Sequence, residues 1–301
     1  MRSALILGIT GHFGREMGKA LAKQGWNIKS IVRNLQHLRE SQLDFDIIEG
    51  DYQDAALLDD ASNDVELIVY AVNPLYHQWH KQALAMLEPV VQLAEKKKLH
   101  ILFPGNVYNF RPDSSAITES TPADPVTAKG QIRVTMESRL RQASGSGARV
   151  TIIRGGDFMS RHGRQWLDVI LKKKHGRFTM RFPHASDHRH FWSYLPDLCA
   201  NAVQVIDRSK NTFEIWHDPG FALTQRDWQQ AFAKNGDTLR VARFPWWIFS
   251  LLSLFVPLIR EVMQMRYLWQ QPLILDGSKL KNELGHHYQH TRLEDIIKDM
   301  T

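Results

Sequence analysis

Cysteine is nearly missing from this chain: 301 residues include one, Cys199. No internal disulfide can form, and a lone thiol fits a reducing compartment, which excludes a disulfide-stapled scaffold. Long apolar runs are missing too. The most apolar stretch, Pro245 to Ile259, lies between Arg243 and Arg260. It is shorter than the ~20 residues a membrane-spanning helix needs, and Pro257 interrupts it. No integral membrane segment is expected. Charge of one sign is not concentrated: 38 Lys and Arg interleave with 32 Asp and Glu, for a net +6. That pattern argues against nucleic acid as a partner, while the small positive excess suits an anionic small ligand. No basic-then-apolar leader is expected, and the sequence shows no internal repeat and no low-complexity linker. Together these absences leave a globular, cytoplasmic chain, long enough for one large α/β domain with a smaller appendage.

What is present is concentrated at the start. Ala4 to Leu7 is apolar throughout, the pattern of a strand buried on both faces of a parallel sheet. Gly8, Gly11 and Gly14 follow, and behind them Met17, Ala20 and Leu21 recur at helical spacing. Strand, glycine turn and helix in that order form a phosphate cradle. The glycines permit a tight turn and close approach of backbone to a pyrophosphate, and the helix N-terminus supplies free N–H groups. Gly8, Thr10, Gly11, His12, Phe13 and Gly14 are therefore candidate cofactor-binding residues. A glycine-rich turn that binds nothing is the bland alternative.

Strands are expected at 27–32, 45–51, 67–72, 99–103 and 149–154, alternating with helices at 55–61, 75–98 and up to Arg141. That alternation gives a doubly wound parallel sheet. The second strand stops at Arg33-Asn34, about 20 residues beyond the glycine turn, where a dinucleotide site carries an acid for the ribose hydroxyls. A cation there meets a 2′-phosphate instead, so NADP(H) is favoured, with NAD(H) as the alternative. A plain surface arginine is the competing reading. The fourth strand ends at Ala71-Val72-Asn73, where backbone would pass close to the cofactor.

The turn Gly8-Ile-Thr-Gly-His-Phe-Gly14 is G-x-x-G-x-x-G. It resembles that of the extended and atypical short-chain dehydrogenase/reductases, the NAD-dependent epimerase/dehydratase-like group that includes nucleotide-sugar epimerases. Pro104-Gly-Asn-Val-Tyr108 stands where that family has a Ser-rich turn ending in Val-Tyr-Gly. Ile117 to Pro122, Pro125 to Lys129 and Arg154-Gly-Gly-Asp-Phe158 follow in the family's order and spacing. The resemblance implies a Rossmann domain over 1–158, rejoined by 191–219, and a smaller C-terminal α/β substrate domain over 159–301. It also implies Asp51 and Tyr52 beside adenine, Lys129 on the ribose hydroxyls and Gly155 at the cofactor.

Two departures fall on the chemistry. The family's active Tyr stands four residues before its Lys, a position held here by Pro125, and its Ser falls on Pro104. Proline has neither an acid proton nor a backbone donor. A substitute acid has to come from elsewhere; Tyr108, Asn106, Tyr194 and the His184/His188/His190 segment are the candidates, with Lys129 placed to lower the Tyr108 pKa. A zinc reading of that histidine segment, with Asp187, competes with a plain loop; its loop character argues against convergent ligands, and no metal is expected.

Further on, Gln165 to Lys174 is expected as a helix, with Lys172-Lys-Lys174 as its solvated end. Thr224 and Asp227 have capping-box spacing. Pro245 to Ile259 has three readings: a helix buried against the substrate domain, which is preferred, a subunit contact in a homodimer, or an interfacial membrane helix. The leading function is an NAD(P)-binding oxidoreductase acting on a small-molecule carbonyl or alcohol. A non-catalytic NADP(H)-binding sensor or scaffold and a nucleotide-sugar epimerase are the alternatives.

Overall fold

A computed structural model describes residues 2–38, 45–112, 116–161, 166–184, 188–208, 210–271 and 273–300. The chain begins with strand β1 (Ser3–Leu7), helix α1 (His12–Lys23), strands β2 (Asn27–Val32) and β3 (Asp46–Glu49), helix α2 (Ala55–Ala61), strand β4 (Leu67–Tyr70), helix α3 (Trp79–Lys97) and strand β5 (His100–Gly105). Short strand β6 (Ala116–Ile117), helix α4 (Ala128–Gly145), strands β7 (Arg149–Arg154) and β8 (Asp157–Met159) and helix α5 (Trp166–Ile170) come next. Strands β9 (Leu171–Lys174), β10 (Arg177–Phe182) and β11 (His190–Tyr194), helix α6 (Leu195–Arg208), strands β12 (Phe213–His217) and β13 (Phe221–Leu223), helix α7 (Gln225–Lys234) and strand β14 (Leu239–Arg243) follow. Helices α8 (Trp246–Leu252) and α9 (Pro257–Gln264), strand β15 (Ile274–Leu275) and helices α10 (Ser278–Leu284) and α11 (Leu293–Met300) complete it.

Seven strands form one parallel sheet in the order β12-β7-β5-β4-β1-β2-β3, so the expected doubly wound Rossmann architecture is present. Strand order reverses between β1 and β4, and a ligand crevice belongs at that switch point. Alternation explains why β1 is apolar throughout. Leu5 and Leu7 face the core beneath α3 and α4, while Ala4 and Ile6 face the core beneath α1 and α6. A third core gathers Trp192, Trp228, Phe232, Leu268 and Trp269 from the later part of the chain.

Two expectations need correction. Helix α5 stops at Ile170, and Lys172–Lys174 belong to β9, which pairs antiparallel with β10. The turn between them, His175-Gly176, has φ of 48° and 73°. Two successive positive φ values give a hairpin turn that matches strand twist, and this local chemistry overrides the helical pattern. The second correction concerns Pro245 to Ile259, which is not buried. Trp246 and Phe249 pack on the third core, whereas Trp247, Leu251 and Phe255 point away from it. By contrast the capping box forms as expected, the Thr224 hydroxyl accepting from the Asp227 N–H and the Asp227 carboxylate accepting in return.

Two buried imidazoles make the fold sensitive to acid. Burial, with nearby arginines adding to it, holds His100 and His217 down to about 3, against 6.5 in an unfolded chain. As pH falls below 6.5 the unfolded chain takes up protons that the folded one refuses, so stability present above 6.5 is lost progressively towards pH 3. Asp218, which burial raises to about 6, acts in the opposite direction but over a narrower span. The melting temperature should therefore drop between pH 6.5 and 4, and His100→Gln should flatten the drop. A melting temperature constant over that range would refute this account.

Candidate active site

The glycine turn closes the end of β1. Gly8 has φ +94°, and a Cβ there would lie 2.6 Å from the Ala71 carbonyl oxygen, so β1 and β4 approach too closely for any side chain. At Gly14 a Cβ would run into the Gly8 carbonyl, which is helix–strand packing with no room to spare. Gly11 differs. It is the N-cap of α1 in extended conformation, and a Cβ there would meet only the Gly8 oxygen, at 3.3 Å. The space beyond Gly11 is a cavity of about 410 Å³.

Gly11, His12, Phe13, Ala71, Val72 and Asn73 line this cavity from the ends of β1 and β4, and Asn106, Tyr108 and Gly155 line it from β5 and β7. Gly8 and Gly14 hold the turn. Thr10 is exposed. The second-strand tip lies away from the cavity: Arg33 is exposed, the Asn34 side chain accepts from the Gln36 N–H, and the Asp51 carboxylate accepts from the Gln53 N–H. Tyr52 is buried in the core; its hydroxyl donates to the Met86 carbonyl at 3.3 Å and is pushed up to about 12 by burial. The open space at Gly11, next to the free end of α1, fits the pyrophosphate of a dinucleotide.

Two proton-bearing pairs face the cavity. The hydroxyls of Tyr76 and Tyr108 are 2.6 Å apart. Burial, the largest cause, raises both above the ordinary tyrosine value, so both keep their protons at neutral pH. The imidazole Nε2 of His190 is 2.8 Å from Asp157 Oδ2. A carboxylate only accepts, so Nε2 carries the hydrogen and Nδ1 is the nitrogen left to exchange a proton. The His190 ring lies flat on Trp269, 3.5 Å between centroids and 9° between planes, which fixes its orientation.

Lys129, expected on the ribose hydroxyls, is not among the residues that line the cavity. Its side chain is 2% exposed, and its ammonium lies 5.4 Å from the Tyr76 ring centroid and forms an ion pair with Glu261 of α9. Beyond burial, Tyr76 and then Asp157 raise the Tyr108 pKa further. Arg133, one helical turn beyond Lys129, does line the cavity. It donates to the Pro104 carbonyl and stacks on Phe103, and its Nε has no partner among the described residues. Burial lowers it to about 10, so it stays cationic at neutral pH. The i, i+4 spacing from Lys129 on one helix face was the signal that could have found it.

Among the other candidates, the Tyr194 hydroxyl donates to Asp299 at 3.1 Å, away from the cavity. The His184 ring stacks beside those of His188 and Trp269, while Asp187 lies outside the described residues. Sequence reasoning missed Asp157 and Tyr76, although Asp157 follows the two glycines after β7, where a sheet of this kind builds its crevice.

No protein-family model matches the sequence, and neither does any curated protein. Solved structures do match across the whole chain. The protein MoeE5, in complex with UDP-glucose and NAD, superposes with a TM-score of 0.75 at 10% identity, covering 99% of this chain and 97% of that one. The UDP-glucuronic acid 4-epimerase of Bacillus cereus, in complex with UDP-glucuronic acid and NAD, gives 0.74 at 14% identity with the same coverage. The UDP-glucose 4-epimerase of Bifidobacterium longum, in complex with NAD+ and UDP, gives 0.72 at 15%, again over 99% and 97% of the two chains. The chain thus has the fold of the NAD-dependent nucleotide-sugar epimerases, that of the extended short-chain dehydrogenase/reductases.

Proposed function

We propose that this chain is an NAD(P)-dependent oxidoreductase acting on a carbonyl or alcohol of a small molecule. One observation carries the reading: the cavity that opens at Gly11 is faced by both the Asp157–His190 pair and the Tyr76–Tyr108 pair. Backbone at Gly11, His12 and Phe13 and the β4 end at Ala71 to Asn73 would hold the dinucleotide, which supplies hydride exchange when bound. The chain supplies the proton. Asp157 fixes the tautomer and orientation of His190, so the ring nitrogen left free of it takes a proton from an alcohol or returns one to a carbonyl oxygen. In the phenol pair one hydroxyl donates to the other, leaving one hydrogen for a substrate oxygen. Aromatic walls from Trp79, Phe103, Phe158 and Trp166 exclude water and favour a substrate with an apolar body, and Arg133 and Arg189 offer cations to an anionic group.

A nucleotide-sugar epimerase is the second reading, favoured by the substrates named in the matching structures. Assay of the purified protein separates the two. Consumption of NADPH with a panel of aldehydes and ketones supports the oxidoreductase. Interconversion of UDP-glucose without net NADPH consumption supports the epimerase. No turnover with tight NADPH binding would replace both with a cofactor-binding sensor.

Arg33 at the tip of β2 supports NADP(H) over NAD(H), and the NAD in the matching structures makes NAD(H) the alternative. A 2′-phosphate paired with Arg33 is worth about 1.5–3 kcal/mol as a charge-assisted hydrogen bond. Titration calorimetry should find that Arg33→Ala loses about tenfold or more in NADP(H) affinity and nothing towards NAD(H). Equal wild-type affinities for the two would sink the assignment.

A further inference from the structure

Strand β14 runs into a helical hairpin, α8 and α9, whose outer side is uncovered. Helix α8 reads Trp246-Trp-Ile-Phe-Ser-Leu-Leu252, with one polar residue. A helix apolar all round belongs in a core or in lipid, and this one is packed on its inner side only. There Trp246 donates to the Pro183 carbonyl at 2.9 Å, and Trp246 and Phe249 both pack on Phe244. On the outer side Trp247 is 72% exposed, and at the tip Leu254 and Phe255 are 66% and 77% exposed. Arg260 reaches back to the carbonyls of Ser253 and Leu254 at 3.3 and 3.4 Å, which holds the tip in shape. Most of the exposed large apolar side chains among the described residues lie in this one stretch, a concentration that marks a contact surface.

The sheet from which the hairpin grows carries one sign of charge. Strands β9, β10 and β14 hold lysines and arginines and no carboxylate. Their register puts Lys174 opposite Arg177 and sets Lys172, Thr179 and Arg240 in one row, while Phe178, Met180 and Leu239 take the buried face. Lys172, Lys174, Arg177, Arg181 and Arg240 are accordingly exposed. Two copies meeting through this surface would bring like charges together, which disfavours a second chain as its partner. Aromatic and leucine side chains beside a basic surface are what hold a protein in the headgroup layer of a membrane.

We propose that this surface docks on an anionic phospholipid bilayer, with the tip at Leu254-Phe255 inserted among the headgroups and the cationic sheet over anionic lipid. The protein then lies on the membrane, since among the described residues no helix is long and apolar enough to cross one. The same hairpin carries Glu261, the ion-pair partner of Lys129. The inference does not depend on the reaction proposed above.

Co-sedimentation with vesicles tests it. The full chain should pellet with vesicles of phosphatidylcholine and phosphatidylserine, less so at high salt, and poorly with phosphatidylcholine alone. Trp247→Ser with Phe255→Ser should weaken binding about tenfold or more, the scale of exposing large apolar groups. Arg177→Glu with Arg240→Glu, on the strands and not on the hairpin, should weaken it independently, with melting temperatures unchanged in both variants. Failure to pellet with phosphatidylserine vesicles, or equal pelleting by wild type and both variants, overturns the proposal. So does a concentration-dependent dimer that the two serine substitutions abolish in a chain that ignores vesicles.

Discussion

Gly11→Val should abolish dinucleotide binding while leaving the fold in place. The backbone at Gly11 is extended, with φ −84° and ψ 166°, a conformation that valine adopts readily. Among the described residues the one close neighbour of an added Cβ is the Gly8 oxygen at 3.3 Å, so the turn need move by only a few tenths of an ångström. The branched side chain would project into the space where backbone must approach the pyrophosphate, beside the N-terminus of α1. Affinity should fall about 100-fold or more, equivalent to about 3 kcal/mol, with a melting temperature close to that of the wild type. Gly14→Val supplies the contrast, because its Cβ would collide with the Gly8 carbonyl inside the packed turn. That variant should lose the fold as well as the ligand. Dinucleotide titration surviving Gly11→Val would mean that the turn is structural only.

Asp157→Asn and His190→Gln should each lower turnover about 100- to 10,000-fold, the usual range for removing a general acid–base group, with little change in dinucleotide affinity. Asp157→Asn keeps the shape of the side chain but replaces the acceptor-only carboxylate that fixes the His190 tautomer. His190→Gln keeps a hydrogen bond to Asp157 and removes the exchangeable proton. Tyr108→Phe breaks the 2.6 Å phenol pair, and a cost of about 100-fold is expected of it. Steady-state rates on the best substrate of the carbonyl panel measure all three. Full activity in both Asp157→Asn and His190→Gln, with a large loss in Tyr108→Phe, would transfer the proton to the phenols.

The central sheet was legible because a strand buried on both faces has to be apolar throughout. Ala4–Leu7 and Leu67–Tyr70 could be read without knowing what covers them. The glycine turn was equally legible, since each of its glycines answers a local demand of backbone or packing. The Asp157–His190 pair was not. Its members are 33 residues apart and meet because β8 pairs with β11 in a register that sets Asp157 opposite Trp192, two residues along the same strand face from His190. Lys129 fits the family pattern in sequence, yet its position is set by Glu261, 132 residues away on a helix that no local pattern connects to it. The stretch 245–259 was misread for a related reason. A helix apolar on every side has no periodicity to say which side is covered, so exposure at Trp247 and Phe255 depends wholly on tertiary placement.

A crystal structure of the protein with bound NADP(H) tests the central claim most directly. The account predicts the pyrophosphate against Gly11 and the N-terminus of α1, the adenosine end towards Arg33, and the nicotinamide ring in the cavity within hydrogen-bonding reach of a substrate oxygen held by His190 or Tyr108. A nicotinamide ring outside that cavity, with Asp157, His190, Tyr76 and Tyr108 all remote from it, would contradict the account.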